Sequence, residues 1–196
     1  MLIEVKNKKM KKIIAVEWLS LDGYFSDSEN GTDWLVSGEK TGEYLLKMFA
    51  NINTILLGHV TYEMFAAYWP KPNPADPNPK ELIDFMNNSR KVVFSKSLKK
   101  AEWNNSVVMK DIVSEEIIEL KQKAAKDIVI FGSGSIVSQL TKLGLIDEYL
   151  FILIPIFLGN GKTIFKSEEA KSKLKILDSK KFDNGNIMLH YAADSK

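Results

Sequence analysis

Short apolar runs rich in Ile, Val and Phe alternate along the chain with stretches whose apolar residues recur at three- and four-residue spacing. The first pattern suits strands buried on both faces and the second suits one-sided helices, so together they predict an α/β fold with a mostly parallel central sheet flanked by helices. Strands are predicted at 12–18, 54–57, 91–94, 106–109, 128–131 and 148–154, and helices at 39–50, 62–67, 80–88 and 135–143. A further helix opens at Ser114, read as its N-cap, with Glu115 and Glu116 in the first turn, where carboxylates favour the positive end of the helix dipole. The tail, "KLKILDSKKFDNGNIMLHYAA", holds two strand-like runs around Asn184-Gly185, a dipeptide suited to a tight turn. An antiparallel C-terminal hairpin is therefore expected. "WPKPNPADPNPK" carries five of the six prolines and reads as an exposed connector, because proline removes backbone donors and disfavours helix before it.

Composition narrows the picture. At 196 residues, 45% hydrophobic and 27% charged, the chain suits a single globular domain over 10–196, with 1–9 a disordered leader. A net charge of +2 supplies no field to draw in nucleic acid or an anionic membrane, so the expected partner is a small molecule. Cysteine is absent, which excludes disulfides, thiolate metal sites and cysteine nucleophiles, and a cytoplasmic location fits. The basic start is followed by an apolar stretch that Glu17 interrupts, too soon for the core of a signal peptide. The longest apolar run, "YLFILIPIFL", is about half of what a membrane-spanning helix needs. His59 and His190 are too few and too scattered for a metal site.

Candidate chemistry begins at "IVIFGSGSIVSQL", where Gly132-Ser133-Gly134-Ser135 joins a strand directly to a helix. Unpaired amides converge at such a helix N-terminus, and missing side chains let an anion approach them. "TILLGHVTYEMF" repeats the geometry: Gly58 ends a strand, and His59 and Thr61 stand where a helix begins, Thr61 as a cap or a phosphate donor. In "KVVFSKSL", Ser95, Lys96 and Ser97 follow a third strand. Ligands of parallel sheets collect outside the carboxyl ends of the strands, so three such ends suggest one long phosphorylated ligand lying across them. "LGNGKTIF" imitates the end of a mononucleotide P-loop, but Ile156 stands where the earlier glycine is required and no helical pattern follows. Asp22-Gly23, in "EWLSLDGYFSD", is a turn signal.

Taken in order, "IIAVEWLSLDGYFSD", "ILLGHVTYEMF", "KVVFSKSL", "IVIFGSGSIVSQL", "IDEYLFILIPIFLGNGKTIF" and the terminal hairpin resemble the dihydrofolate reductase fold family, and more closely its branch related to the reductase domain of riboflavin biosynthesis. The resemblance covers nearly everything from Lys12 onward. It implies NADPH as cofactor, with Gly132, Ser133, Gly134 and Ser135 at the pyrophosphate. Gly58, His59 and Thr61 would meet the phosphates and the adenosine end, and Ser95 and Lys96 the 2′-phosphate. It implies Asp22 as the polar catalytic residue with Glu43 second, Glu39 competing for the same register. The activity implied is reduction of a nitrogen-heterocycle or ribosylaminopyrimidine-type substrate, and a homodimer is implied as well. A dihydrofolate reductase and a non-catalytic nucleotide-binding homodimer are the alternatives. A fused zinc deaminase is impossible without cysteine.

Overall fold

The structure is a computed structural model that describes residues 10–36, 38–71, 78–165 and 171–194, and of Glu39 the backbone alone. The expected leader and positions 72–77 of the proline-rich connector lie outside the described residues. In chain order the elements are β1 (Ile13–Ser20), β2 (Tyr24–Ser26), α1 (Glu39–Phe49), β3 (Ile52–Gly58), α2 (His59–Tyr68), α3 (Lys80–Asn88), β4 (Arg90–Phe94), β5 (Ser106–Met109), α4 (Ser114–Lys123), β6 (Asp127–Phe131), α5 (Gly134–Lys142), β7 (Glu148–Ile154), β8 (Lys162–Thr163), β9 (Leu174–Lys181) and β10 (Ile187–Ala193). Eight strands form one sheet in the order β5-β4-β3-β6-β1-β7-β10-β9. The first six are parallel, and β10 and β9 are antiparallel around the Asn184-Gly185 turn, where Gly185 has φ 86°.

Side chains alternate across the sheet and sort the core into two layers. On one face Ile14 and Val16 of β1 pack with Leu45 and Phe49 of α1, Tyr62 of α2 and Met86 of α3. On the other, Ile13 and Ala15 pack with Ile117 and Leu120 of α4 and Ile136, Val137 and Leu140 of α5. Phe49 anchors the first layer, stacked on Phe85 at 5.0 Å and edge-on to Phe131 at 5.1 Å.

The register opens a crevice. Val16 opposite Phe131 is the last pairing of β1 with β6, yet β1 continues along β7 until Ser20 faces Ile154. Beyond Val16 the edge of β1 that faced β6 has no further strand pairing among the described residues.

Several boundaries move for physical reasons. The helix expected at 62–67 starts at His59, because Gly58 is extended and the first turn is pinned through buried Thr61. Ser114 is the first helical residue rather than the N-cap; Val113 holds the cap position with extended backbone and no side-chain hydrogen bond. Glu115 and Glu116 do lie in the first turn. The two-stranded sheet of β2 and β8 is too short to leave a pattern in sequence, and it uses Lys162 and Thr163 as a strand, not as a phosphate loop. No helix among the described residues is long and apolar enough to cross a membrane.

Candidate functional site

A cavity of about 750 Å³ runs along the carboxyl ends of β1, β3, β4 and β6. Its middle is the glycine turn. Gly132 (φ 53°) and Ser133 (φ 63°) both adopt left-handed backbone, which turns β6 into α5 within two residues. For serine this conformation costs on the order of 1–3 kcal/mol, so the surroundings must enforce it. They do: the buried Ser133 hydroxyl donates to Thr61 Oγ1 at 2.8 Å and accepts from the Gly58 amide at 2.8 Å. A Cβ on Gly58 would lie 3.3 Å from that same hydroxyl oxygen, so Gly58 is needed for the close approach. Thr61 thus spends its side chain on this junction and caps nothing.

The amides of Ser133, Gly134 and Ser135 have no partner within the described residues, and they stand at the positive end of α5. An anion is the natural guest. Gly134 is bare for another reason than anion access: a Cβ there would lie 2.6 Å from the Phe25 ring, which leans from β2 over the start of α5.

One end of the cavity is polar. Ser95 Oγ accepts the amides of Leu98 (2.9 Å) and Ser97 (3.3 Å), and both Ser95 Oγ and Ser97 Oγ lie 3.1 Å from His59 Nδ1. His59 Nε2 is buried and lies 2.9 Å from Glu63 Oε1. Lys96, exposed, pairs with Asp111 at 3.0 Å. An exposed pair is worth about 0–1 kcal/mol, so Lys96 can exchange Asp111 for a phosphate at little cost.

The other end is an apolar chamber formed by Leu35, Leu45, Phe49, Phe65, Trp69 and Met86. Its wall from α1 is Gly42, Leu45 and Phe49, positions spaced for one helix face.

All nine residues expected at a cofactor, Gly58, His59, Thr61, Ser95, Lys96, Gly132, Ser133, Gly134 and Ser135, line this one cavity. The two expected acids stand elsewhere. Asp22 accepts the Ser20 hydroxyl (2.6 Å) and the amides of Gly159 (2.7 Å) and Leu158 (3.2 Å), bonds that hold its carboxyl below the usual range and tie the loop after β7 to the end of β1. It is not part of the cavity lining, and neither is Glu43, which is exposed on α1.

Two acids do line the cavity: Asp111, which pairs with Lys96, and Glu17, which sequence reading treated only as an interruption. Glu17 is 1% exposed, its Oε1 has no hydrogen-bond partner among the described residues, and burial pushes its carboxyl well above the usual carboxylate range. A buried polar group left unpaired costs roughly 1–3 kcal/mol. The available signal was a single carboxylate inside an otherwise apolar strand, "IIAVEWL".

Residues 11–188 match the sequence model of the RibD C-terminal domain, that is, nearly the whole described chain. This protein belongs to the RibD C-terminal domain family. The RibD-like sequence is 29% identical over 185 residues to the uncharacterized protein YyaP of Bacillus subtilis, spanning 94% of this chain and 96% of that one. Among solved structures it resembles the diaminohydroxyphosphoribosylaminopyrimidine deaminase/5-amino-6-(5-phosphoribosylamino)uracil reductase of Thermotoga maritima, with TM-score 0.66 and 17% identity over 95% of this chain and 58% of that one. It also resembles dihydrofolate reductase from Enterococcus faecalis complexed with NADP(H), with TM-score 0.57 and 17% identity over 94% of this chain and 97% of that one. The expected dihydrofolate-reductase-like fold, with its antiparallel C-terminal hairpin, is the fold of this RibD C-terminal domain.

Proposed function

We propose that this RibD C-terminal domain is an NADPH-dependent reductase of a nitrogen heterocycle, a pyrimidine or ribosylaminopyrimidine type of substrate. One observation carries the reading: a single cavity joins a phosphate-ready strip, a crevice at the β1–β6 gap and an apolar chamber walled by Phe49, Phe65 and Trp69. The residues present fit the cofactor. Three amides at the start of α5, without a partner among the described residues, suit a pyrophosphate, and Lys96 supplies a donor for a further phosphate, the feature that separates NADPH from NADH. When bound, that cofactor supplies the hydride. The protein's own part is placement: the Ser133–Thr61–Gly58 junction keeps the amides aimed, and the aromatic walls exclude water and hold a ring flat.

Among the described side chains of α1, those that wall the chamber are Gly42, Leu45 and Phe49, none of them a carboxylate, and Glu43 is exposed outside it. A homodimer is part of the same proposal: β9 is exposed along its length and displays Leu174, Ile176 and Leu177 on a sheet edge, where a second chain can cover them. Ile176→Lys should then shift the species seen by sedimentation from dimer to monomer. A cytoplasmic location completes the reading.

The test is a titration with NADPH and NADH followed by cofactor fluorescence, in the wild type and in Lys96→Ala, then NADPH oxidation across pteridines and aminopyrimidines. Tighter NADPH than NADH binding, with the gap narrowed in the variant, and turnover on a heterocycle are expected. Absence of NADPH binding would overturn the assignment.

A further inference from the structure

Glu17 stands where β1 has lost its β6 neighbour. Its register partner on β7 is Phe151, and the strand on its other side has ended at Phe131. It shares the cavity wall with Phe25 and Gly134. Among the described residues no hydrogen bond satisfies its Oε1, and burial is the cause of its perturbation. Burial of this kind favours the protonated, neutral form of the acid.

A neutral carboxyl presents an O–H donor beside a C=O acceptor, and the group that answers both at once is an amide edge, an N–H beside a C=O. An ionised carboxylate would select an amidinium or another cation instead. We propose that Glu17 is the anchor that receives an amide-type edge of the molecule held in this cavity. Within the reductase reading, on which the choice of probes rests, two sources carry that edge: the carboxamide of the nicotinamide and the lactam of a pyrimidine substrate. Glu17 lines the same cavity as the glycine turn at the start of α5, at the point where β1 outruns β6, so the anchor and the phosphate strip share one space.

Infrared difference spectra test this directly. Wild-type protein at neutral pH should show a carboxylic-acid C=O stretch that is absent in Glu17→Gln, and this band should shift when NADPH, nicotinamide or uracil is added. A response to NADPH and nicotinamide assigns the cofactor carboxamide; a response to uracil alone assigns the substrate edge. In parallel, Glu17→Leu should weaken binding of the responding probe about tenfold or more, whereas Glu17→Gln, which keeps a donor beside an acceptor, should stay within a few-fold of wild type. A missing acid band, a band that no probe moves, or unweakened binding by Glu17→Leu overturns the proposal. So does a Glu17→Gln variant that binds normally but loses kcat, because the carboxyl would then be delivering a proton instead of holding an edge. A wild type that fails to bind NADPH while uracil moves the band would remove the reductase assignment and leave the anchor standing.

Discussion

Ser133 concentrates two opposing effects in one residue. Its left-handed backbone is unfavourable, while its hydroxyl joins Gly58 and Thr61 across two strand ends. Ser133→Ala keeps the strain and orphans the Gly58 amide, so it should lose about 1–3 kcal/mol in chemical denaturation. Ser133→Gly loses the same hydroxyl but relieves the backbone, and should be the milder change by roughly 1 kcal/mol. A reversed order would show that the junction does not hold the turn. Gly134→Val meets a different obstacle, the Phe25 ring 2.6 Å from the added Cβ. The ring cannot stay where it is, so overpacking of about 1–3 kcal/mol and a loss of NADPH fluorescence enhancement are expected together.

At the scale of elements, α1 both builds the core and walls the chamber. Phe49 is 4% exposed and links α1 to α3 through Phe85 and to β6 through Phe131. Phe49→Ala should cost about 3–5 kcal/mol, readable as a fall in Tm, since no neighbouring side chain can fill a space bounded by three elements. The same deletion enlarges the chamber, so any heterocycle that still binds should do so more weakly. The strand ends behave differently: β3, β4 and β6 are continuous runs of buried residues, and the reactive edge lies only where they stop.

For the whole molecule, the sheet is fastened away from the cavity by a charged cluster. Glu148 of β7 accepts from His190 of β10 at 2.9 Å and pairs with Lys12 before β1, and these bonds, His190 first, lower its pKa from 4.5 to about 2. A depressed folded-state pKa means that the unfolded chain binds more protons between those values. The stability contributed by Glu148 is therefore complete above pH 4.5 and is lost as the pH falls toward 2. Urea midpoints should show wild type well above Glu148→Gln at neutral pH, with the gap closing through that window. A gap unchanged by acid would mean that the cluster does not stabilise the fold.

What the sequence by itself determined is what neighbours in the chain decide. Continuous β-branched runs, helical spacing and the Asn184-Gly185 turn are local, and they yielded the parallel strands, the helices and the terminal hairpin within a few residues. That these glycines and hydroxyls share one cavity was legible for the same reason, since they follow strand ends, and a parallel sheet brings strand ends together whatever lies between them. Which carboxylate meets the cavity was not local. Asp22 and Glu43 stand in suggestive sequence positions, yet two hydrogen bonds hold Asp22 to the loop after β7 and the rotation of α1 turns Gly42, Leu45 and Phe49 inward instead of Glu43. Glu17 gained its place only because β6 ends at Phe131 while β1 runs on, a difference in strand length between partners 115 residues apart in register. Only the tertiary structure can set that difference, because it depends on where a distant chain stops pairing.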